Sequence, residues 1–155
     1  MIIGSYAKGE NQRFEKLESE AALALMKLIN AARDDGVWII PVSGFRSVTA
    51  QEELLQKQIQ KQGSPEAAAK ISAPPGYSEH HTGYAIDLAD GNLPTQDLTN
   101  KFAETRAFSW LNLHAKEFGF ELSFPKNNSQ GVSYEPWHWR FIGSSHSAAI
   151  FVHNR

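Results

Sequence analysis

Between Arg13 and Asp35, the apolar residues Phe14, Leu17, Ala21, Leu25, Leu28, Ile29 and Ala32 recur every three or four positions. That spacing draws one continuous stripe along a helix, which Gly36 closes. A helix with a single apolar stripe owes its stability to packing on another element. The chain offers short β-rich runs as partners: Val37–Ser43, ended by Gly44, then Tyr84–Leu88, Phe120–Phe124 and His138–Ile142. Further helices are expected from Thr49 to about Gln62, from Ser64-Pro65-Glu66 up to the stop at Pro74-Pro75-Gly76, and from Lys101 to Phe118 before Gly119. Polar loops cover Asp90 to about Asn100 and Lys126 to Ser133, and a short helix can follow Gly143. Helices grouped around a few strands with long connections predict a single α+β domain with a small, mostly antiparallel sheet flanked by helices. The domain is expected to span 1–155, with its core at about 13–143.

Composition mainly excludes. The formal net charge of -2, with both signs interspersed, leaves no basic footprint for nucleic acid or an anionic membrane. No cysteine is present, so disulfides and thiolate chemistry are ruled out and any metal must be held by His, Asp or Glu. The N-terminal apolar run is too short for a signal-peptide core, and no stretch reaches membrane-spanning length. The chain as given is expected to be soluble, with any export signal lying outside it.

Three of the six histidines, His80, His81 and His138, share polar segments with Asp87 and Glu135, and both segments adjoin predicted strands. A catalytic zinc site needs three protein ligands and an open position, which two histidines and a carboxylate supply without cysteine. In the first segment, Gly83 lets the backbone turn between loop His80 and strand-borne Asp87. In Glu135-Pro136-Trp137-His138, proline interrupts strand pairing, so Glu135 need not follow strand alternation relative to His138.

Four sequence features, in order, carry a family resemblance: Ser43-Gly44-Phe45-Arg46-Ser47, then Gln51, then Ser-x-His-x-x-Gly-x-Ala-x-Asp at Ser78 to Asp87, then Glu-Pro-Trp-His at Glu135 to His138. Together they resemble VanY-type D-alanyl-D-alanine carboxypeptidases, within the zinc peptidase group that includes lysostaphin and the hedgehog signalling domain. The resemblance runs from about Leu17 to Gly143 and implies a hedgehog/D-Ala-D-Ala peptidase-like fold. It further implies one zinc ion on His80, Asp87 and His138, with Glu135 as the catalytic base. Arg46 matches an arginine that engages the substrate carbonyl or carboxylate, and Gln51 and Ser78 match substrate-contacting positions. Two positions depart from the pattern: His81 stands where glutamine is common, and Ser123 where arginine is common.

The implied activity is hydrolysis of the terminal D-Ala from peptidoglycan stem peptides, which would place the protein in a bacterial cell envelope or periplasm. The alternatives are an L,D-carboxypeptidase acting on the tetrapeptide and an inactive zinc-containing binding module; the presence of Glu135 weighs against the latter. Arg140, one strand period from His138, is a candidate second cation for the cleft. Asp90, before Gly91-Asn92, reads as a turn former. His114, His146 and His153 read as incidental, His81 as a plain loop residue with contact to substrate or support of the metal ligands as the alternative, and of Trp137 and Trp139 one is expected in the core and the other on the cleft.

Overall fold

The computed structural model describes residues 1–5 and 14–152. The apolar stripe forms helix α1, Ser19–Asp34, which buries Ala21, Ala22, Leu25, Leu28 and Ala32. Gly36, at φ +77°, lets the chain reverse, and the Val37 N–H returns to the Ala32 carbonyl at 2.8 Å. The helix is shorter than the periodicity predicts. Phe14–Lys16 forms strand β2, paired antiparallel with strand β1, Ile2–Ser5; Arg13 lies outside the described residues. Here tertiary pairing overrides the helical spacing: Glu15 is buried, whereas Phe14, counted in the stripe, is exposed.

The main sheet has four antiparallel strands in the order β3-β4-β6-β5. These are β3, Ile39–Ser43, β4, Ala85–Asp90, β5, Phe120–Leu122, and β6, His138–Phe141. Alternation divides the two central strands between core and site. Ile86, Leu88, Trp139 and Phe141 enter the core with α1. Asp87, His138 and Arg140 occupy the intervening positions. Register completes the arrangement, because Ser43 pairs with Asp87 and Asp87 with His138, setting residues from three strands abreast.

Helix α2, Val48–Gln62, starts at Ser47, whose hydroxyl accepts the Ala50 N–H, and ends at Gly63. Helix α3, Pro65–Ala69, starts at Ser64 in the same way. The single helix predicted from Lys101 to Phe118 is instead three pieces: 3-10 turns at Asn100–Glu104 and Ala115–Phe118 flank α4, Arg106–His114. Thr105 makes the first break. Its backbone is extended, its hydroxyl donates to the Phe102 carbonyl and accepts the Phe108 N–H, and Asp90 Oδ2 accepts the Ala107 N–H. Asp90 thus makes its predicted turn, through the Asn92 N–H, and also caps α4. Helix α5, Ser145–Ile150, follows Gly143 with a capping box at Ser144 and Ser147.

Gly44, just beyond β3, is demanded by a close approach of chains. A Cβ there would overlap the Lys16 carbonyl oxygen, which accepts the Phe45 N–H at 2.7 Å. Backbone cannot move aside as a side-chain tip can, so Gly44→Ala is expected to destabilise the protein by about 2 kcal/mol or more, measured as a lowered urea midpoint at unchanged slope.

Candidate active site

The 3-10 turn Glu79–Thr82 carries His80 to the sheet face that presents Asp87 and His138. Ser78 caps this turn through its hydroxyl, and Gly83 leaves it at φ +77°. One ligand-capable atom from each of His80, Asp87 and His138 lies within 4.8 Å of the others, and all three residues are buried.

Hydrogen bonds outside the cluster decide which ring nitrogens face inward. His80 Nδ1 lies 2.7 Å from the Gly44 carbonyl oxygen, which only accepts, so Nδ1 bears the proton and Nε2 offers a lone pair 3.4 Å from Asp87 Oδ2. His138 uses the opposite nitrogen: Nε2 donates to Glu79 Oε1 at 2.9 Å, leaving Nδ1 3.1 Å from Asp87 Oδ1. Asp87 Oδ1 is buried without a hydrogen-bond partner among the described residues. With His138 neutral, two lone pairs and a carboxylate therefore face one another with no donor between them. This is the donor set a cation satisfies, and it fits zinc in using two imidazoles and one carboxylate.

Electrostatics agree. Burial opposes ionisation of Asp87, but the imidazoles beside it outweigh burial and hold its carboxyl well below the usual carboxylate range. His138 is depressed by burial yet pushed up to about 10 by hydrogen bonding and charge from Asp87 and Glu79. A second proton on His138 does for Asp87 what a cation would do. Burial lowers His80 against the pull of Asp87.

Glu135 stands beside the cluster, Oε2 3.8 Å from His138 Nδ1, with its N–H held by the Phe124 carbonyl. Burial, reinforced by Asp87 and Glu79, pushes its carboxyl up to about 7 against the opposing effects of His138 and Arg46. All four residues lie at a cleft of about 930 Å³ that Arg46, Gln51, Tyr77, Phe124 and Trp137 also line.

A family model described as VanY, D-alanyl-D-alanine carboxypeptidase, matches residues 14–144. The chain belongs to the VanY family. A D-alanyl-D-alanine carboxypeptidase of Enterococcus faecalis is 32% identical over 148 residues, covering 88% of this chain and 52% of that protein. The chain spans about half the length of the curated relatives it matches first. Among solved structures, the LdcB LD-carboxypeptidase superposes with a TM-score of 0.78 at 30% identity, covering 98% of this chain and 70% of that one. A VanY D,D-pentapeptidase mutant from a vancomycin resistance cassette, in complex with Zn(II), superposes with a TM-score of 0.71 at 28% identity, covering 94% and 83%.

Against the VanY pattern the remaining expectations divide. Arg46 reaches the cleft, donating to Ser43 Oγ and Gln51 Oε1, each at 2.9 Å. Gln51 is 1% exposed, and its amide also donates to the Ala73 carbonyl; it meets the cleft mainly through Arg46. Trp137 lines the cleft and Trp139 lies in the core. Ser123 is buried and adds no charge to the cleft; its N–H donates to the His138 carbonyl at 3.3 Å. His114 pairs with Glu117 and His146 packs near Tyr84, both away from the cluster, while His153 lies outside the described residues.

Arg140 requires a correction. It is 2% exposed and does not line the cleft; its guanidinium donates to Glu79 Oε2 at 2.7 Å and Glu121 Oε1 at 2.9 Å. Strand period puts it on the face of His138, but buried Glu79 and half-buried Glu121 capture its charge. The partner that links the two, Glu79, is the residue sequence reasoning missed. Burial works against its ionisation, but His138 and Arg140 bring its carboxyl down to about 2. Its position between Ser78 and His80 was the available signal. An outer carboxylate on a ligating histidine fixes the tautomer and strengthens the donor. Glu79→Gln is therefore expected to weaken zinc binding about 10- to 100-fold with the fold retained, read by competition against a chromophoric chelator.

Proposed function

We propose that this VanY-family chain acts as a zinc-dependent carboxypeptidase, removing the terminal D-alanine from peptidoglycan stem peptides in the bacterial cell envelope. The observation that carries the reading is the convergence of His80, Asp87, His138 and Glu135 at a cleft that Arg46 also lines. His80 through Nε2, Asp87 through its carboxylate and His138 through Nδ1 would hold one zinc ion. When bound, zinc supplies Lewis acidity and lowers the pKa of water from its bulk value toward ~7.

The chain's own groups do the rest. Glu135 takes a proton from the attacking water as it adds to the scissile carbonyl, then delivers it to the leaving amine of D-alanine. Its raised pKa, about 7, suits both halves of that exchange. Arg46 brings a permanent charge whose direction is set by Ser43 and Gln51, so little ordering remains when negative charge develops on the carbonyl oxygen or a terminal carboxylate enters. The Ser78 hydroxyl accepts the His80 N–H through one lone pair and keeps its own O–H to donate to substrate. A second reading, L,D-cleavage of the tetrapeptide, is favoured by the superposition on the LdcB LD-carboxypeptidase.

The deciding experiment measures D-alanine released by the zinc-loaded protein from a pentapeptide ending in D-Ala-D-Ala and from the matching tetrapeptide. Release from the pentapeptide alone supports D,D-cleavage, and from the tetrapeptide alone L,D-cleavage; release from neither, with stoichiometric zinc bound, sinks the carboxypeptidase reading in favour of a binding module. Glu135→Ala is expected to keep its zinc and lose roughly 10²- to 10⁴-fold in kcat.

The pH dependence has a defined sign. Glu135 acts only when ionised, so kcat/KM rises with pH through its pKa. That value is about 7 from the protein's own groups, and a nearby cation lowers it. The acid limb is therefore expected at or below pH ~7, and Glu135→Ala is expected to lack it.

A further inference from the structure

His81 follows a proposed ligand directly but serves a different part of the cleft. Its Nδ1 lies 2.7 Å from the Arg46 carbonyl oxygen, and its Nε2 accepts the Gly76 N–H at 3.0 Å. A neutral imidazole has one donor and one acceptor, and these two partners use both. The ring joins the segment after β3, which carries Arg46, to the turn Pro74-Pro75-Gly76-Tyr77.

That turn is stiff by composition. The Tyr77 N–H donates to the Pro74 carbonyl at 3.0 Å, with Pro75 and then Gly76 at φ +89° in the central positions, the residue types a type II turn requires. A second tie runs parallel to the first, since Gln51 accepts from Arg46 and donates to the Ala73 carbonyl at 2.7 Å. Arg46 is thus fastened through its guanidinium by Gln51, and through its backbone by the His80 carbonyl at 3.1 Å and the His81 ring. Both the Gln51 and His81 ties end in residues 73–77, where Tyr77, 81% exposed, lines the cleft.

We propose that His81 is a positioning residue for substrate recognition: by bridging the Arg46 carbonyl and the Gly76 amide, it holds Arg46 and the Tyr77 turn at a set spacing, so that a peptide enters a preformed cleft. The proposal rests on the peptidase reading for its consequence in catalysis and on hydrogen bonding alone for its mechanism. The bridge also predicts that glutamine can replace histidine at this position. A glutamine amide offers one donor and one acceptor side by side, donating to Arg46 and accepting from Gly76, whereas leucine offers neither.

The test compares zinc-loaded wild type, His81→Gln and His81→Leu on whichever D-alanyl peptide the wild type cleaves, with rates normalised to bound zinc. Amide exchange at Gly76 is followed by NMR on the same samples. Losing both bonds is expected to lower kcat/KM on the order of tenfold in His81→Leu and to speed Gly76 exchange by a similar factor. His81→Gln is expected to recover most of both. Wild-type kcat/KM per zinc in His81→Leu, or a loss in His81→Gln as large as in His81→Leu, overturns the proposal. Should His81→Leu fail to fold, His81→Ala, which offers neither bond, takes its place with the same expectations. If the wild type cleaves no D-alanyl peptide, the peptidase reading fails separately, and the His81 bridge is then decided by Gly76 exchange, where wild-type protection in His81→Leu refutes it.

Discussion

Three buried groups pointed at one another, all of them acceptors when His138 is neutral, form the constraint around which this molecule is arranged. His80 Nε2 and His138 Nδ1 face the Asp87 carboxylate at 3.4 and 3.1 Å, an arrangement that costs free energy until a cation or an added proton enters. The rest of the local structure holds that arrangement in place. The Gly44 carbonyl turns one imidazole and Glu79 the other; Arg140 holds Glu79; Glu121 holds Arg140. Sheet register sets Asp87 beside His138. The absence of a side chain at Gly44 permits the backbone approach that anchors this edge to β2.

The same economy governs the cleft. Arg46 is an intrinsically mobile side chain, and immobilising it is costly if done by substrate alone. Here Ser43 and Gln51 hold the guanidinium, while His80 and His81 hold the backbone. Residues flanking the metal-binding cluster thus also shape the wall a peptide meets, which links positions 46, 51, 76 and 81 into one support.

Local signals were legible where local chemistry decides the outcome. Ser64, Gly36 and Gly119 mark helix ends because hydroxyl caps and left-handed glycines act within one turn of chain. The order of the motifs was enough to assign the family, and the two central strands were recognisable from their apolar and aromatic content. Other features escaped for identifiable reasons. Phe14–Lys16 falls in helical register with α1 yet pairs with β1, because an edge offered by distant residues outweighs spacing. Lys101–Phe118 reads as one helix because no Gly or Pro breaks it, but Thr105 satisfies its neighbours better in an extended conformation.

What the sequence determined by itself was the inventory: two imidazoles, two carboxylates and an arginine in segments next to strands, with no cysteine to compete for a metal. Tertiary structure alone decided what each group faces. The selection of His80 Nε2 and His138 Nδ1, the diversion of Arg140 to Glu79, the sequestration of Gln51 behind Arg46 and the bridge made by His81 all depend on partners 5 to 61 positions away. A hydrogen bond is set by distance and direction in space, and for side chains brought together by a sheet those quantities exist only once the strands have paired.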